Sequence, residues 1–435
     1  MKLLLPVAAL FVLAACGGSS GDAGSPNTPT QPIAVKTPLK ITAMQSNTCG
    51  GTLPATQAEL LVYDDNWKIT GRYKAGSDGS FLFNTDLKLI NFSVLNNVGD
   101  KNNPKIVQEV YSQVEPGDFG TVHLGETSQN CECVQASANI TKLGSSPLKQ
   151  MRVSDETMKV TFAEIKGNTA TFNLCRQANK NWPALAISAR NTAGSWAYAR
   201  LENYQPSQPL LINLDKEVQV LPFSSNNPKA QYGSYSYTKD LSFRGLTANS
   251  DAPVLINGIK DLRYIHHSSF VFDYQDVAEK TLYTFAGHNL LQKAGDTRAL
   301  NFILPERSRR DAFLNLASRD LLEIEDGLQY DYSQFNEFTA VNIFISLKLA
   351  ESGTVDQRFT GPLKGKIPES FLPADYLAQA VMDKAELTYL DIELSHLSSA
   401  NNITAYVKQQ LAFFVPLAGN KERSGDTTFI GFSIQ

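Results

Sequence analysis

Along much of its length this chain alternates apolar and polar residues in steps of two, which commits it to strands. Ile90, Phe92 and Val94 alternate with Asn91 and Ser93. Leu390, Ile392 and Leu394 alternate with Asp391 and Glu393, and Ile430, Phe432 and Ile434 with Gly431 and Ser433. A strand sends successive side chains to opposite faces, so each pattern predicts a half-buried antiparallel strand. Ser77-Asp78-Gly79, Asn226-Asn227-Pro228 and Glu325-Asp326-Gly327 supply turns between strands. Helical spacing is confined to two short stretches. One is 311–322, where Phe313, Leu316, Ala317 and Leu321 gather on one side; the other is 374–382, behind Pro373. The apolar run over 411–415 reads as a buried strand. The expected fold is mainly β: tandem antiparallel β-sandwich domains with one or two short helices in the C-terminal part.

The N-terminus fixes an expected compartment. Lys2 precedes an apolar run from Leu3 to Leu13, followed by Ala14, Ala15 and Cys16. Charge, short apolar segment, small residues and cysteine in that order form a bacterial lipoprotein signal. Residues 1–15 would be removed and Cys16 acylated, with palmitate among its chains. The run is too short to span a bilayer, which takes roughly 20 apolar residues, so the lipid anchors the protein and does not thread it through. Gly17 stands where an aspartate would resemble an inner-membrane retention signal, which favours the outer membrane; either leaflet is open. Residues 16–38 are rich in Gly, Ser, Thr, Pro and Asn and read as a flexible tether, roughly 70 Å when extended and about 25–30 Å as a coil.

At 42% hydrophobic residues the remainder can bury proper cores. A net charge of −4 argues against a nucleic-acid partner, which would demand a basic excess. The basic cluster Arg307, Arg309 and Arg310 is flanked by Glu306 and Asp311 and reads as a solvated, salt-bridged turn.

Apart from Cys16 there are four cysteines, Cys49, Cys131, Cys133 and Cys175. In an exported chain they predict two disulfides, with three pairings open. Cys131 and Cys133 leave a strand on the same face, so each is expected to take a distant partner. If these are Cys49 and Cys175, the segment around residue 132 is tied to elements on both sides of it.

One family resemblance is present. Residues 57–64 (Gln57-Ala58-Glu59-Leu60-Leu61-Val62-Tyr63-Asp64), Gly71, the stretch Gly76-Ser77-Asp78-Gly79-Ser80-Phe81-Leu82-Phe83 and the strand at Ile90 to Val94 together resemble the carboxypeptidase-regulatory-like domain. The resemblance implies a small transthyretin-like β-sandwich in which Asp78-Gly79 turns the chain and Phe81 and Phe83 enter the core. It is an accessory domain and brings no catalytic residues. The expected organisation is this sandwich over 39–133, a second over 134–228 and a larger β domain over 229–435.

Catalytic signatures are scarce. His123, His266, His267, His288 and His396 lack the four-residue spacing of a zinc site on a helix; His266 and His267, adjacent on a strand, point to opposite faces. No phosphate loop or calcium loop is present in the sequence, and neither metal nor cofactor is expected. The aromatic pairs Trp196 and Tyr198, Tyr235 and Tyr237, and Tyr330 and Tyr332 each share one face of a strand. They are the candidate ligand-binding residues, because flat rings stack on sugars and anchor protein partners. The expected function is binding of a glycan or a protein at the cell envelope. The alternatives are a structural or assembly role facing the periplasm, and a polysaccharide or peptide hydrolase, which a pocket of converged carboxylates in the last domain would mark.

Overall fold

A computed structural model describes residues 36–434 except 50, 101–102, 128–129, 142–145, 156–159, 215, 239–241, 245–253, 257–261, 278–279, 294, 323–327, 350–352, 369, 381–384 and 415–424. The segment expected to be a signal, Cys16, most of the expected tether and the expected turn at Glu325-Asp326-Gly327 lie outside the described residues.

Strands dominate, and the chain is mainly β. Three helices are found among the described residues, Arg307–Leu322, Ala374–Ala380 and Ile403–Phe414, where one or two were expected. The third replaces the strand read from 411–415, of which residues 411–414 are helical. Its start is set by Asn402, whose side chain accepts the Ala405 N–H at 2.8 Å as an N-cap. Val407 and Leu411, four residues apart, then share the buried side of the helix. The arginine cluster opens the first helix and is not a turn. Arg307 pairs with Asp311 and Arg309 with Glu337, while Arg310, only 4% exposed, pairs with Asp273 at 3.0 Å.

A twelve-stranded sheet organises the fold. Its strands run in the order Ser242–Arg244, Gln231–Thr238, Leu262–Val277, Lys280–Lys293, Thr427–Ile434, Glu386–Leu397, Ala340–Lys348, Thr354–Gly361, Lys105–Val114, Ile90–Asn97, Glu59–Tyr63 and Ile69–Lys74. The junction between early and late sequence is the parallel pair of Lys105–Val114 with Thr354–Gly361. Hydrogen bonding therefore crosses between the regions 39–133 and 229–435, expected as separate domains, and the side chains follow. Leu61, Leu95 and Val110 share a core with Phe313, Tyr332, Ile392 and Phe432 on one face of the sheet.

On the other face, at the early end, a smaller sheet of Thr52–Pro54, Thr37–Asn47, Ser80–Thr85 and Asp118–Thr127 packs across the sheet. It encloses Leu39, Ile41, Phe81, Phe92, Val94 and Leu124. This is a β-sandwich, as expected for 39–133. Asp78 Oδ1 accepts the Ser80 N–H at 3.0 Å, Gly79 takes φ +80° to complete the turn, and Phe81 enters the core with Phe83 partly buried beside it. Ile90–Asn97 is not half-buried: it lies between two cores, and Asn91, Ser93 and Asn96 are as buried as its apolar residues.

A second sandwich with its own core spans 131–214, including Ala136, Ile140, Met151, Phe172, Ile187 and Ile212. One of its sheets continues through Lys216–Val220 to Val254–Ile256. The disulfides are Cys49–Cys131 and Cys133–Cys175, with Cα separations of 5.5 and 4.1 Å. Cys133 and Cys175 face each other directly across the antiparallel strands Cys131–Thr141 and Thr169–Gln177. The segment around residue 132 is thus tied on both sides.

Candidate functional site

Two rows of side chains cross the large sheet on the face that carries the first sandwich. By cross-strand register the first row runs Glu109, Arg358, Phe344, Asp391, Ser433, Tyr283 and Tyr274. The second runs Tyr111, Thr360, Asn342, Glu393, Gly431, Phe285 and Phe272. At about 4.8 Å per strand, seven strands span about 29 Å. Chemistry changes along the rows, from charged and polar near the sandwich to aromatic at the far end.

The polar end is a cavity of about 690 Å³, within the ~300–1,000 Å³ range of small-ligand sites. The large sheet forms one wall with Glu109, Tyr111, Asn342, Phe344, Arg358, Tyr389, Asp391 and Glu393. Tyr406, Val407, Gln410 and Leu411 of the Ile403–Phe414 helix, Val122 and His123 of Asp118–Thr127, and Ser46 of Thr37–Asn47 close the rest. Alternation in Glu386–Leu397 therefore has a second meaning. Its apolar residues Leu390, Ile392 and Leu394 fill the core, and Asp391 and Glu393 turn to a cavity, not to bulk water.

Neutral donors hold these carboxyl groups. Tyr389 Oη donates to Asp391 at 3.0 Å, and Glu393 accepts from Ser395 Oγ and from Asn342 Nδ2 at 3.4 Å. Asn342 also donates to Tyr406 Oη at 2.9 Å and accepts from Thr360 at 3.0 Å, which ties the helix to the sheet. Burial pushes Asp391 up to about 6, against the Tyr389 hydrogen bond and Arg358. Burial, with a contribution from the Asp391 charge, pushes Glu393 up to about 7. Glu109 is raised by burial as well, and the Arg358 guanidinium, bonded to it at 2.9 Å, opposes the shift. Arg358 also sits over the Phe344 ring, 5.4 Å from its centroid. Desolvation raises Tyr389 and Tyr406 to about 12 and lowers His123, whose two ring nitrogens are closed to solvent without a hydrogen-bond partner among the described residues.

The aromatic end is exposed. Tyr274 is 69% and Phe272 is 42% exposed, with Phe270, Tyr283, Phe285 and Phe429 half-buried around them. Phe270 and Phe272 stack at 6.4 Å with 18° between their planes. Glycines make room for two of the rings. Gly287 faces Phe429 and Gly431 faces Phe285 across neighbouring strands, and a Cβ at either glycine would run into the opposing ring. The rings can therefore lie down on the backbone and form a floor.

The aromatic pairs expected from sequence do not form this floor. Trp196 and Tyr198 are buried on the strand Trp196–Leu201, whose Ala197 and Ala199 enter the core of the second sandwich, and Tyr330 and Tyr332 stack on each other at 5.4 Å inside the main core, with Phe313 edge-on to Tyr332. Tyr235 and Tyr237 lie in the strand Gln231–Thr238, opposite His266 and Tyr264, and their side chains are outside the described residues. Three of the other histidines are held by hydrogen bonds within the fold. His267 is fully buried between Ser234 and Gln292, His288 accepts the Ile303 N–H, and His396 bonds Thr339. The floor has its own sequence signal in the run Phe270-Val271-Phe272-Asp273-Tyr274, which puts three rings on one strand face, and in its partner pattern Tyr283-Thr284-Phe285.

No known family profile matches the chain, and no curated protein matches it. The likeness of 39–133 to the carboxypeptidase-regulatory-like domain therefore stands at a shared β-sandwich. Among solved structures, the chain is similar to the Bacillus anthracis TIE protein at 10% identity and a TM-score of 0.15, over 62% of this chain and half the length of that one. It is similar to two B repeat units of the collagen-binding protein CNA of Staphylococcus aureus at 6% identity and a TM-score of 0.14, over 85% of this chain and 98% of that one. It is also similar to the Bacteroides ovatus mixed-linkage glucan utilization locus SGBP-B, in complex with a mixed-linkage heptasaccharide, at 8% identity and a TM-score of 0.10, over 91% and 95%. Geometry shared at this level carries no argument about what the chain binds.

Proposed function

We propose that the protein is an outer-membrane lipoprotein, anchored through Cys16, that binds a glycan chain on the aromatic floor of its large sheet. The observation that supports the binding reading is the exposed face of Tyr274, Phe272, Tyr283 and Phe285, which continues by register into the polar cavity. Pyranose rings with equatorial substituents carry apolar C–H faces that stack on aromatic rings. Asp391 and Glu393 beyond the floor offer the hydrogen-bonding groups that sugar hydroxyls require. The anchor reading is supported by the order of Lys2, the apolar run and Cys16.

Calorimetric titration with cellohexaose and with the N-acetylglucosamine hexamer tests the binding. Saturable binding of at least one is expected, and absence of binding to both would overturn it. Mass spectrometry of the N-terminal peptide tests the anchor: an acylated Cys16 is expected, and an unmodified Cys16 in the mature protein contradicts it.

A second reading, hydrolysis of the bound chain, has one observation in its favour. Asp391 and Glu393, two residues apart on one strand face, both line the cavity and supply the pair of carboxyl groups that glycosidases use. Release of reducing ends from either hexamer, abolished by Asp391→Asn, would establish it; intact hexamers after prolonged incubation leave binding as the function.

A further inference from the structure

Stacking does not account for the charge of the cavity. Asp391 and Glu393 make no ion pair among the described residues, and the donors to them, Tyr389, Ser395 and Asn342, are neutral. The cation on the same wall, Arg358, is engaged by Glu109. Glu109, Asp391 and Glu393 share the guanidinium of Arg358 on this wall, and the excess of negative charge in a cavity is costly, a cost relieved when a cation enters beside Asp391 and Glu393. His123 lines the same cavity with neither ring nitrogen hydrogen-bonded among the described residues. No three acidic, histidine or cysteine side chains among the described residues are grouped as a metal ion requires. Phe344, Tyr389 and Tyr406 instead line the cavity with aromatic rings, a surrounding that suits an organic cation.

We propose that this cavity binds a primary ammonium group, held between Asp391 and Glu393, and carried either by an amino sugar or by a small free amine. The proposal stands on the cavity alone. The aromatic floor adds only the route by which an amino-sugar chain would arrive.

Calorimetry on the full chain tests it with n-butylamine and its neutral counterpart n-butanol, and with the glucosamine hexamer and its N-acetylated counterpart. Butylamine or the glucosamine hexamer is expected to bind at least tenfold more tightly than its neutral counterpart. Asp391→Asn and Glu393→Gln, checked for folding by circular dichroism, are expected to abolish that preference. The wild-type protein gives a second readout that needs no variant. Affinity for butylamine, which stays protonated throughout this range, should fall at least tenfold between pH 8 and pH 5 as Asp391 and Glu393 take up protons, among Glu109, Arg358, Tyr389, Tyr406 and a His123 whose basicity burial lowers. Butylamine binding without either hexamer identifies a free amine as the source and upholds the cavity while the aromatic-floor reading fails. A preference for the glucosamine hexamer identifies the amino sugar. Equal affinity for charged and neutral members of both pairs, or a preference that survives both substitutions, overturns the proposal even if the floor binds both hexamers.

Discussion

Phe429 lies over Gly287, its partner on the neighbouring antiparallel strand, and occupies the space a side chain there would need. The contact decides whether the ring can lie along the sheet, so Gly287→Ala should lift Phe429 from the floor. The expected result is a loss of oligosaccharide affinity of about tenfold, the scale of one stacking contact, with the same loss in Phe429→Ala. Titration of both variants checks it; an unchanged affinity in Gly287→Ala would show that the floor does not depend on the glycine.

Stability should fall as pH rises through the range of the cavity carboxyls. Asp391 and Glu393 are raised by burial to about 6 and about 7, so between pH 4 and 7 the folded state binds more protons than the unfolded chain. Their protonation therefore favours folding at low pH, and this contribution is lost as pH climbs through the folded values. The size is on the order of 3 kcal/mol per carboxyl. Urea titrations at pH 5 and pH 8 check it. The wild type should be more stable at pH 5, and Asp391→Asn with Glu393→Gln should reduce the difference to the share of Glu109, which burial also raises.

Tyr330 and Tyr332 should respond oppositely to loss of their hydroxyls. Tyr330 Oη donates to the Pro362 carbonyl at 3.0 Å, and Tyr332 Oη is buried without a partner among the described residues. Tyr330→Phe should cost about 1 kcal/mol, and Tyr332→Phe should be neutral or stabilising. Thermal unfolding of each variant measures this, and neither change should alter oligosaccharide affinity.

The two disulfides close loops with sequence separations of 82 and 42. On the chain-entropy account each contributes about 4 kcal/mol, slightly more for the longer loop. Cys133→Ala with Cys175→Ala should lower the urea midpoint, and Cys49→Ala with Cys131→Ala should lower it at least as far. An unchanged midpoint in either double variant would contradict the account.

Much of the strand content was legible because alternation is a local signal. Leu390 to Leu394 and Ile430 to Ile434 are strands, and Cys131 and Cys133 each bond a distant partner. What lay on the polar side of those strands was not legible. Asp391 and Glu393 look like solvent-facing residues until the Ile403–Phe414 helix is laid over them, and that helix was itself hidden in an apolar run. The pairing of Lys105–Val114 with Thr354–Gly361, which completes the site by bringing Glu109 to Arg358, joins segments some 250 residues apart and leaves no local trace. The aromatic floor had a signal in the spacing of Phe270, Phe272 and Tyr274. The pairs at Trp196 and Tyr330 have the same spacing, and only burial separates a floor from a core.

The most direct measurement is the affinity of the wild type and of Phe272→Ala/Tyr274→Ala/Tyr283→Ala for whichever neutral hexamer binds. These side chains are exposed or half-buried, so the triple variant should fold. The account predicts that it retains its unfolding temperature to within a few degrees and loses oligosaccharide binding by a factor of a hundred or more, roughly 1 kcal/mol for each ring removed. Wild-type affinity in a folded triple variant would contradict it and remove the aromatic floor as the site of glycan binding.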